Sequence, residues 1–400
     1  MTSEADTFDG GEQREATKRR DRRGQVVTAA ASLFRQRGYA QVSIDDIGAA
    51  VGFSGPAVYR YFPGKHHLLE AVAGSYLDVF AQRRQEGADG RPLDAVSALV
   101  TAGLRTPDAL VVYSRQAHHL PEEGLTRLRR RRTELGLDST DLIPAAGFTS
   151  QESGGDADLR SRCVAGAVTH AALARPGTLP LKTRLLTDVV GALKAAPLAS
   201  HNPTFDQNRL PESPRFVHIT RREAVLAAAT ELMAERGFVA VSLADIGSRV
   251  GITASAVTRH FDGKEALLAA VVNRVGEQIS AGLAAALRDS QDARHAVRRI
   301  VEMYASLAVV HRDVVVIQTT ESASLPQSHQ LERRRRQRMY VDELARLIGL
   351  AAPHRSAVEC RLRAGMVFAL TNEAAISPAI ARRDGVAEDL TTLGLAAAGA

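Results

Sequence analysis

The side chains of this chain that could do chemistry do not assemble into a catalytic set. No Ser/His/Asp or Cys/His group stands out among the 400 residues, so turnover of a small substrate in a helical pocket is the weakest reading of the sequence. The adjacent pairs His66-His67 and His118-His119 point in different directions on a helix and make poor chelates without a third ligand. Cys163 and Cys360 lack any CxxC or Cys/His spacing for zinc, and as thiols among Ala, Val and Leu they are expected to be buried and inert in a reducing compartment. No metal and no cofactor is implied. What the chain does offer is positive charge: a formal net charge of +6 and a pI near 9.6. Between Lys18 and Phe80 nine basic residues face five acidic ones. A locally cationic segment of this kind suits a polyanion, because neutralised phosphates release counterions.

The elements that must position those cations are written twice. Leu33–Leu69 recurs without gaps as Leu232–Leu268, 199 positions later, with 18 of 37 residues identical. A spacing that large is duplication of a whole domain, not a short solenoid repeat. In the first copy Val26, Ala29, Ala30, Leu33 and Phe34 fall at helical spacing and stop at Gly38. Ser43 offers an N-cap hydroxyl to a short helix carrying Ile44, Ile47 and Val51, and Gly52 closes it where a left-handed residue is needed. Ser54 is expected to cap the next helix, where Pro56 is tolerated in the first turn and Val58 and Phe62 face inward. Two short helices joined by about three residues, the second amphipathic, make a helix-turn-helix that presents its second helix to the major groove.

The combination Arg37-Gly38-Tyr39, Val42-Ser43, Ile47, Val51-Gly52-Phe53-Ser54, Val58-Tyr59-Arg60-Tyr61-Phe62 and Gly64-Lys65 resembles the DNA-binding domain of TetR-family transcriptional regulators. The second copy is similar but departs at Thr258, His260 and Asp262, which stand where the first has Tyr59, Tyr61 and Pro63. The resemblance implies that Gly55, Pro56, Ala57 and Tyr59, with Ala254, Ser255, Ala256 and Thr258, face bases. It also implies phosphate contacts for Ser43, Ser54, Tyr61 and Lys65 and for Ser242, Thr253, His260 and Lys264, with Arg60 and Arg259 completing the DNA-binding sets. Only Tyr59, Ser255 and Thr258 among the base-facing residues can hydrogen-bond through a side chain, so readout leans on thymine methyls and DNA shape. Thr258 has given up a contact, so the second module is expected to grip DNA less strongly than the first.

Both halves look complete. Asp108 to Leu120-Pro121 is echoed by Asp313 to Leu325-Pro326, and the Arg129–Arg132 run by Arg333–Arg336. Four consecutive arginines wrap round a helix and are expected to be solvated surface with salt bridges to Glu122, Glu123 or Glu332, or else a site for an anionic headgroup. Arg19, Arg20, Arg22 and Arg23 either reach a minor groove as an arm or keep the tail solvated. The expected organisation is all-α: a disordered tail over 1–17, a first helix-turn-helix domain over 18–68, a helical domain over 69–196, a Pro-rich linker over 197–215, a second head over 216–267 and a second helical domain over 268–400. Glycine- and serine-rich sequence over 136–158 is expected to be loop. No apolar run reaches 18 residues and the N-terminus lacks an apolar signal-peptide core, so a soluble, cytoplasmic protein away from membranes is expected.

In TetR-like proteins the C-terminal helices enclose a ligand pocket and pair in a four-helix bundle. The resemblance assigns Ala157–Ala174 with Leu181–Ala195, and Ala357–Ile376 with Val386–Ala397, to those bundle helices, which one chain can assemble internally as a pseudo-dimer. An apolar effector, such as a fatty acid, sterol-like compound or acyl thioester, is expected around Ile300, Met303, Tyr304, Val316, Met366 and Phe368, unless those residues simply form a filled core. Long chains of this pattern also resemble repressors of lipid-uptake and lipid-catabolism operons. The sequence thus points to a ligand-released repressor on a non-palindromic operator, with an architectural DNA-binding protein of weak sequence preference as the alternative.

Overall fold

The computed structural model describes residues 6–85, 95–135, 155–175, 177–199 and 220–400. Most of the expected linker and of the 136–158 loop lies outside these residues. Among the described residues every regular element is helical, as the sequence implies. In chain order the first half contains α1 (Asp6–Arg37), α2 (Ile44–Ala50), α3 (Gly55–Tyr59), α4 (Lys65–Gln85), α5 (Ala95–Arg105), α6 (Pro107–Gln116), α7 (Glu122–Glu134), α8 (Asp156–Leu173) and α9 (Leu179–Ala195). The second contains α10 (Arg221–Arg236), α11 (Leu243–Arg249), α12 (Ala254–Thr258), α13 (Lys264–Arg288), α14 (Ala293–Val310), α15 (Arg312–Thr320), α16 (Gln327–Ala351), α17 (Ala357–Ala375), α18 (Pro378–Ala381) and α19 (Val386–Ala398). A 3-10 turn precedes the Leu-Pro pair in both halves, at Ala117–His119 and Ser322–Ser324.

The expected disordered tail needs correction. Helix α1 runs back to Asp6: Glu12–Ala16 and Lys18–Arg20 are good helix formers, against the lower propensities of Asp6, Thr7, Asp9, Thr17 and above all Gly10-Gly11.

The described residues divide into two compact units, one carried by residues up to 85 with 101–135, the other by 95–100 and everything from 155 onward. In the first unit α4 is the spine. Leu68, Leu69, Val72, Ala73, Tyr76, Leu77 and Phe80 recur at three- and four-residue spacing and are buried against α1, α6 and α7. Tyr76 and Tyr113 meet at 5.5 Å between ring centroids. Each buried Leu, Val or Phe of this set contributes about 1.5–3 kcal/mol of transfer free energy.

The second unit holds the bundle. Helices α8, α9, α17 and α19 of one chain pack together, with α8 lying along α17. The approach is close because glycine stands at the crossing: a Cβ on Gly166 would come within 2.6 Å of the Ala369 carbonyl oxygen and 2.7 Å of Leu370 Cα. On the facing helix a Cβ on Gly365 would fall on the His170 ring. Burial, then the charges of Lys182 and Arg361, push the His170 imidazole down to about 4, so it packs as a neutral ring. Cys163 is buried in the same contact, and burial pushes its thiol far above the ordinary range. Arginines close the outer helix ends: Arg160 donates to the Leu193 and Ala196 carbonyls of α9, and Arg363 and Arg355 to Ala397, Ala398 and Gly399 of α19.

Candidate nucleic-acid interface

Each head builds its turn from the same local chemistry. Ser43 Oγ accepts from the Asp46 amide at 3.0 Å while Asp46 Oδ2 accepts from the Ser43 amide at 2.8 Å, a reciprocal capping box. Ser242 and Asp245 repeat it at 3.1 and 2.8 Å. The Ser43 hydroxyl and amide hold the Asp46 carboxyl below the usual range, as Ser242 does for Asp245. Gly52 and Gly251 then adopt φ of +73° and +70°, which permits the sharp turn into α3 and α12. The cap of the next helix differs between copies. Thr253 Oγ1 accepts from the Ala256 amide at 3.2 Å, but Ser54 makes no such bond, contrary to expectation, and its hydroxyl stays exposed.

The residues assigned to DNA do not all lie on the surface. Ser43, Ser54, Pro56, Tyr59 and Arg60 are exposed in the first head, Ser242, Thr253, Ser255, Thr258, Arg259 and His260 in the second, and Ala57, Ala254 and Ala256 are half-buried. Tyr59 is 53% exposed and projects from the end of α3. Thr258, its counterpart, donates to the Ser255 carbonyl of its own helix at 2.9 Å. Tyr61 is half-buried and stacks on Phe53 at 6.3 Å. Gly55 is buried, because Asp45 lies against its bare Cα, with Asp45 Cγ 3.0 Å from where a Cβ would stand.

The two lysines make intramolecular contacts. Lys65 sits 4.3 Å above the Tyr39 ring and donates to the Ala40 carbonyl at 3.4 Å, while burial holds its ammonium below the usual lysine range. Lys264 is 4.4 Å above Phe238 and donates to the Phe238 carbonyl at 2.7 Å. Each ammonium therefore clips α4 or α13 to the turn that precedes α2 or α11. The clip is tighter in the second head. Lys264→Ala should lower the stability of its head by about 1–2 kcal/mol, and Lys65→Ala by less than about 1. Hydrogen exchange on the full chain reads this directly: protection should fall more over 225–271 in the first variant than over 26–72 in the second. Equal losses would reject the clip.

Arg23 and Arg222, again equivalent, lie 4.7 and 4.5 Å over the Phe62 and Phe261 rings, so one of the four N-terminal arginines packs the head. The arginine runs carry two pairs with the expected partners, Arg129 with Glu122 at 2.6 Å and Arg336 with Glu332 at 3.6 Å, and one with another carboxylate, Arg131 with Asp78 at 2.9 Å; Arg336 is half-buried and not solvated surface.

The residues expected around an effector lie in the second unit. Ile300, Tyr304, Met366 and Phe368 are buried, Met303 and Val316 half-buried. Tyr304 meets Phe368 edge-on at 4.6 Å and donates to Asn372 Oδ1 at 2.9 Å, while Met303 fills the space over Gly282, where a Cβ would meet its sulfur at 2.7 Å. These contacts are those of a filled core. An open cleft of about 590 Å³ lies instead between α13 and α16, lined by Asn273, Glu277, Ser280, His329 and Arg336. It is lined by polar and charged residue types, and apolar periodicity could not have found it.

Asp45 is the neighbour that sequence reasoning missed. A signal existed, since Asp45 and Gly55 both change between copies, to Ala244 and Ala254.

The description "Bacterial regulatory proteins, tetR family" matches residues 26–72 and again 225–271. The HTH-type transcriptional repressor KstR2 of Rhodococcus jostii is 30% identical over 121 residues, 28% of this chain and 59% of that protein. The HTH-type transcriptional activator FasR of Mycolicibacterium smegmatis is 33% identical over 97 residues, 24% of this chain and 42% of that protein. The chain therefore spans less than two thirds of either relative's length. A TetR-family transcriptional regulator from Bordetella parapertussis is similar in structure at 19% identity and a TM-score of 0.40, covering 44% of this chain and 95% of that one. With the same capping boxes, left-handed glycines and lysine clips in both heads, and each head matched separately, this chain carries two DNA-binding domains of the TetR family of bacterial regulatory proteins in tandem.

Proposed function

We propose that the chain is a sequence-specific transcriptional regulator whose two heads read two dissimilar half-sites of one operator, and that it acts as a repressor. One observation carries the reading: the heads share their internal scaffold but not their exposed surface. Tyr59 projects from the first recognition helix, whereas Thr258 turns back on its own helix and Ser255 is exposed beside it. Similar scaffolds would hold both helices in a groove, and different surfaces would read different base edges. Bundle helices from both halves already pack within one chain, which supports a pseudo-dimer that needs no second copy.

Selection from a random duplex library with the full chain tests this. The selected site should contain two unlike half-sites, and making it palindromic with either half should weaken binding roughly tenfold, about 1.4 kcal/mol. Tighter binding to a palindrome would reject the reading, and the absence of any motif would favour an architectural role. A small apolar effector belongs to the same proposal. It would have to part Tyr304 from Phe368, and only a differential affinity for the parted state would release the operator.

A further inference from the structure

We propose that Asp45 is a specificity-determining residue of the first head, a carboxylate that accepts a hydrogen bond from an exocyclic base amino group, such as cytosine N4, in the half-site that head reads. The inference rests on the regulator reading above and names the residue that makes one half-site differ from the other.

Asp45 is exposed on α2 and its carboxylate lies on the bare Cα of Gly55, the first residue of the recognition helix. That places it beside the N-terminal residues of the helix, the ones that meet base edges in this motif. Among the described residues it has no hydrogen bond or ion pair. Its neighbour Asp46 does: it accepts from Ser43 and faces Arg37 at 3.5 Å, so the structural work of an acidic first turn is already done there. The second head has neither partner of the arrangement. Ala244 replaces Asp45 and Ala254 replaces Gly55, so the carboxylate and the glycine that makes room for it come and go together.

A free carboxylate on a surface that approaches phosphate is repulsive on every sequence. It becomes favourable only where a base presents a donor, and in the major groove carboxylates accept from cytosine N4. The consequence is selectivity by penalty: the first head should bind poorly wherever that position lacks an amino group.

The experiment is duplex selection with the full-length protein, its Asp45→Ala variant and its near-isosteric Asp45→Asn variant. The parent chain should show one position in one half-site with a strong preference for cytosine or, failing that, adenine. Asp45→Ala should lose roughly tenfold or more of that preference at that position alone while binding unrelated DNA more tightly. The reciprocal double change Ala244→Asp with Ala254→Gly should create a new amino-bearing preference in the other half-site. An unchanged motif in both Asp45 variants, with or without a uniform gain in affinity, would overturn the proposal and leave Asp45 a simple repeller. Should Asp45→Ala unfold the head, Asp45→Asn decides alone: its amide both accepts and donates, so it should move the preference from cytosine toward adenine, and a retained cytosine preference would overturn the proposal. A parent chain that selects no motif sinks the regulator reading itself; a parent motif retained by the variants sinks only this inference.

Discussion

Gly166→Ala should destabilise the second unit by about 3 kcal/mol, the upper end of overpacking costs, while Gly191→Ala should stabilise it by about 0.5–1 kcal/mol. Both glycines are interior to bundle helices, and alanine is the better helix former at each. They differ in what a methyl group would meet. At Gly191 there is nothing within 4 Å, so only the propensity gain remains. At Gly166 the methyl would stand 2.6 Å from the Ala369 carbonyl oxygen and 2.7 Å from Leu370 Cα, and backbone atoms of a long buried helix cannot step aside as a flexible side chain would. The α8–α17 contact must open, exposing His170 and Cys163 with it. Urea unfolding followed by circular dichroism measures the two shifts. Equal effects of the two substitutions would show that the helices do not approach as closely as described.

Gly247→Ala should weaken operator binding on the order of 100-fold, about 2.7 kcal/mol, without disturbing the bundle. Helix α11 turns back so sharply into α12 that the Ile252 amide donates to the Gly247 carbonyl at 2.9 Å, and a Cβ on Gly247 would sit 2.6 Å from the Ile252 carbonyl oxygen. The added methyl pushes the recognition helix away from the helix that orients it, and groove contacts do not survive shifts of that kind. Gly48→Ala should act in the same direction in the first head, where the equivalent distance to the Phe53 carbonyl oxygen is 2.8 Å. Titration of labelled operator with each full-length variant, alongside its urea midpoint, separates loss of binding from loss of fold. Wild-type affinity in the Gly247 variant would mean that the second head takes no part in recognition.

The heads were the legible part of the chain because their determinants are local. Ser43 and Asp46 cap a helix three residues apart, Gly52 needs only its own φ, and the same letters 199 positions later fold the same way. Helical periodicity likewise shows that the C-terminal segments are apolar helices, and their assignment to a bundle came with the family resemblance. Roles that depend on approach from elsewhere were not legible. That Lys65 lies over the turn 25 residues earlier and donates to its Ala40 carbonyl cannot be read from local spacing. Gly55 reads as a groove-facing gap until Asp45 occupies it. Tyr304, Phe368 and Met303 have the composition of a pocket lining and the packing of a core.

The sequence by itself therefore determined the all-helical class, the duplication and the two helix-turn-helix scaffolds, since capping, turn conformation and apolar period act over a few residues. The tertiary structure decided which cations are spent inside the heads, which carboxylate is left without a partner, and that α8 lies against α17. Those outcomes depend on which backbones meet: Gly166 and Leu370 are far apart in the chain and touch only because neither a side chain nor a methyl group stands between them.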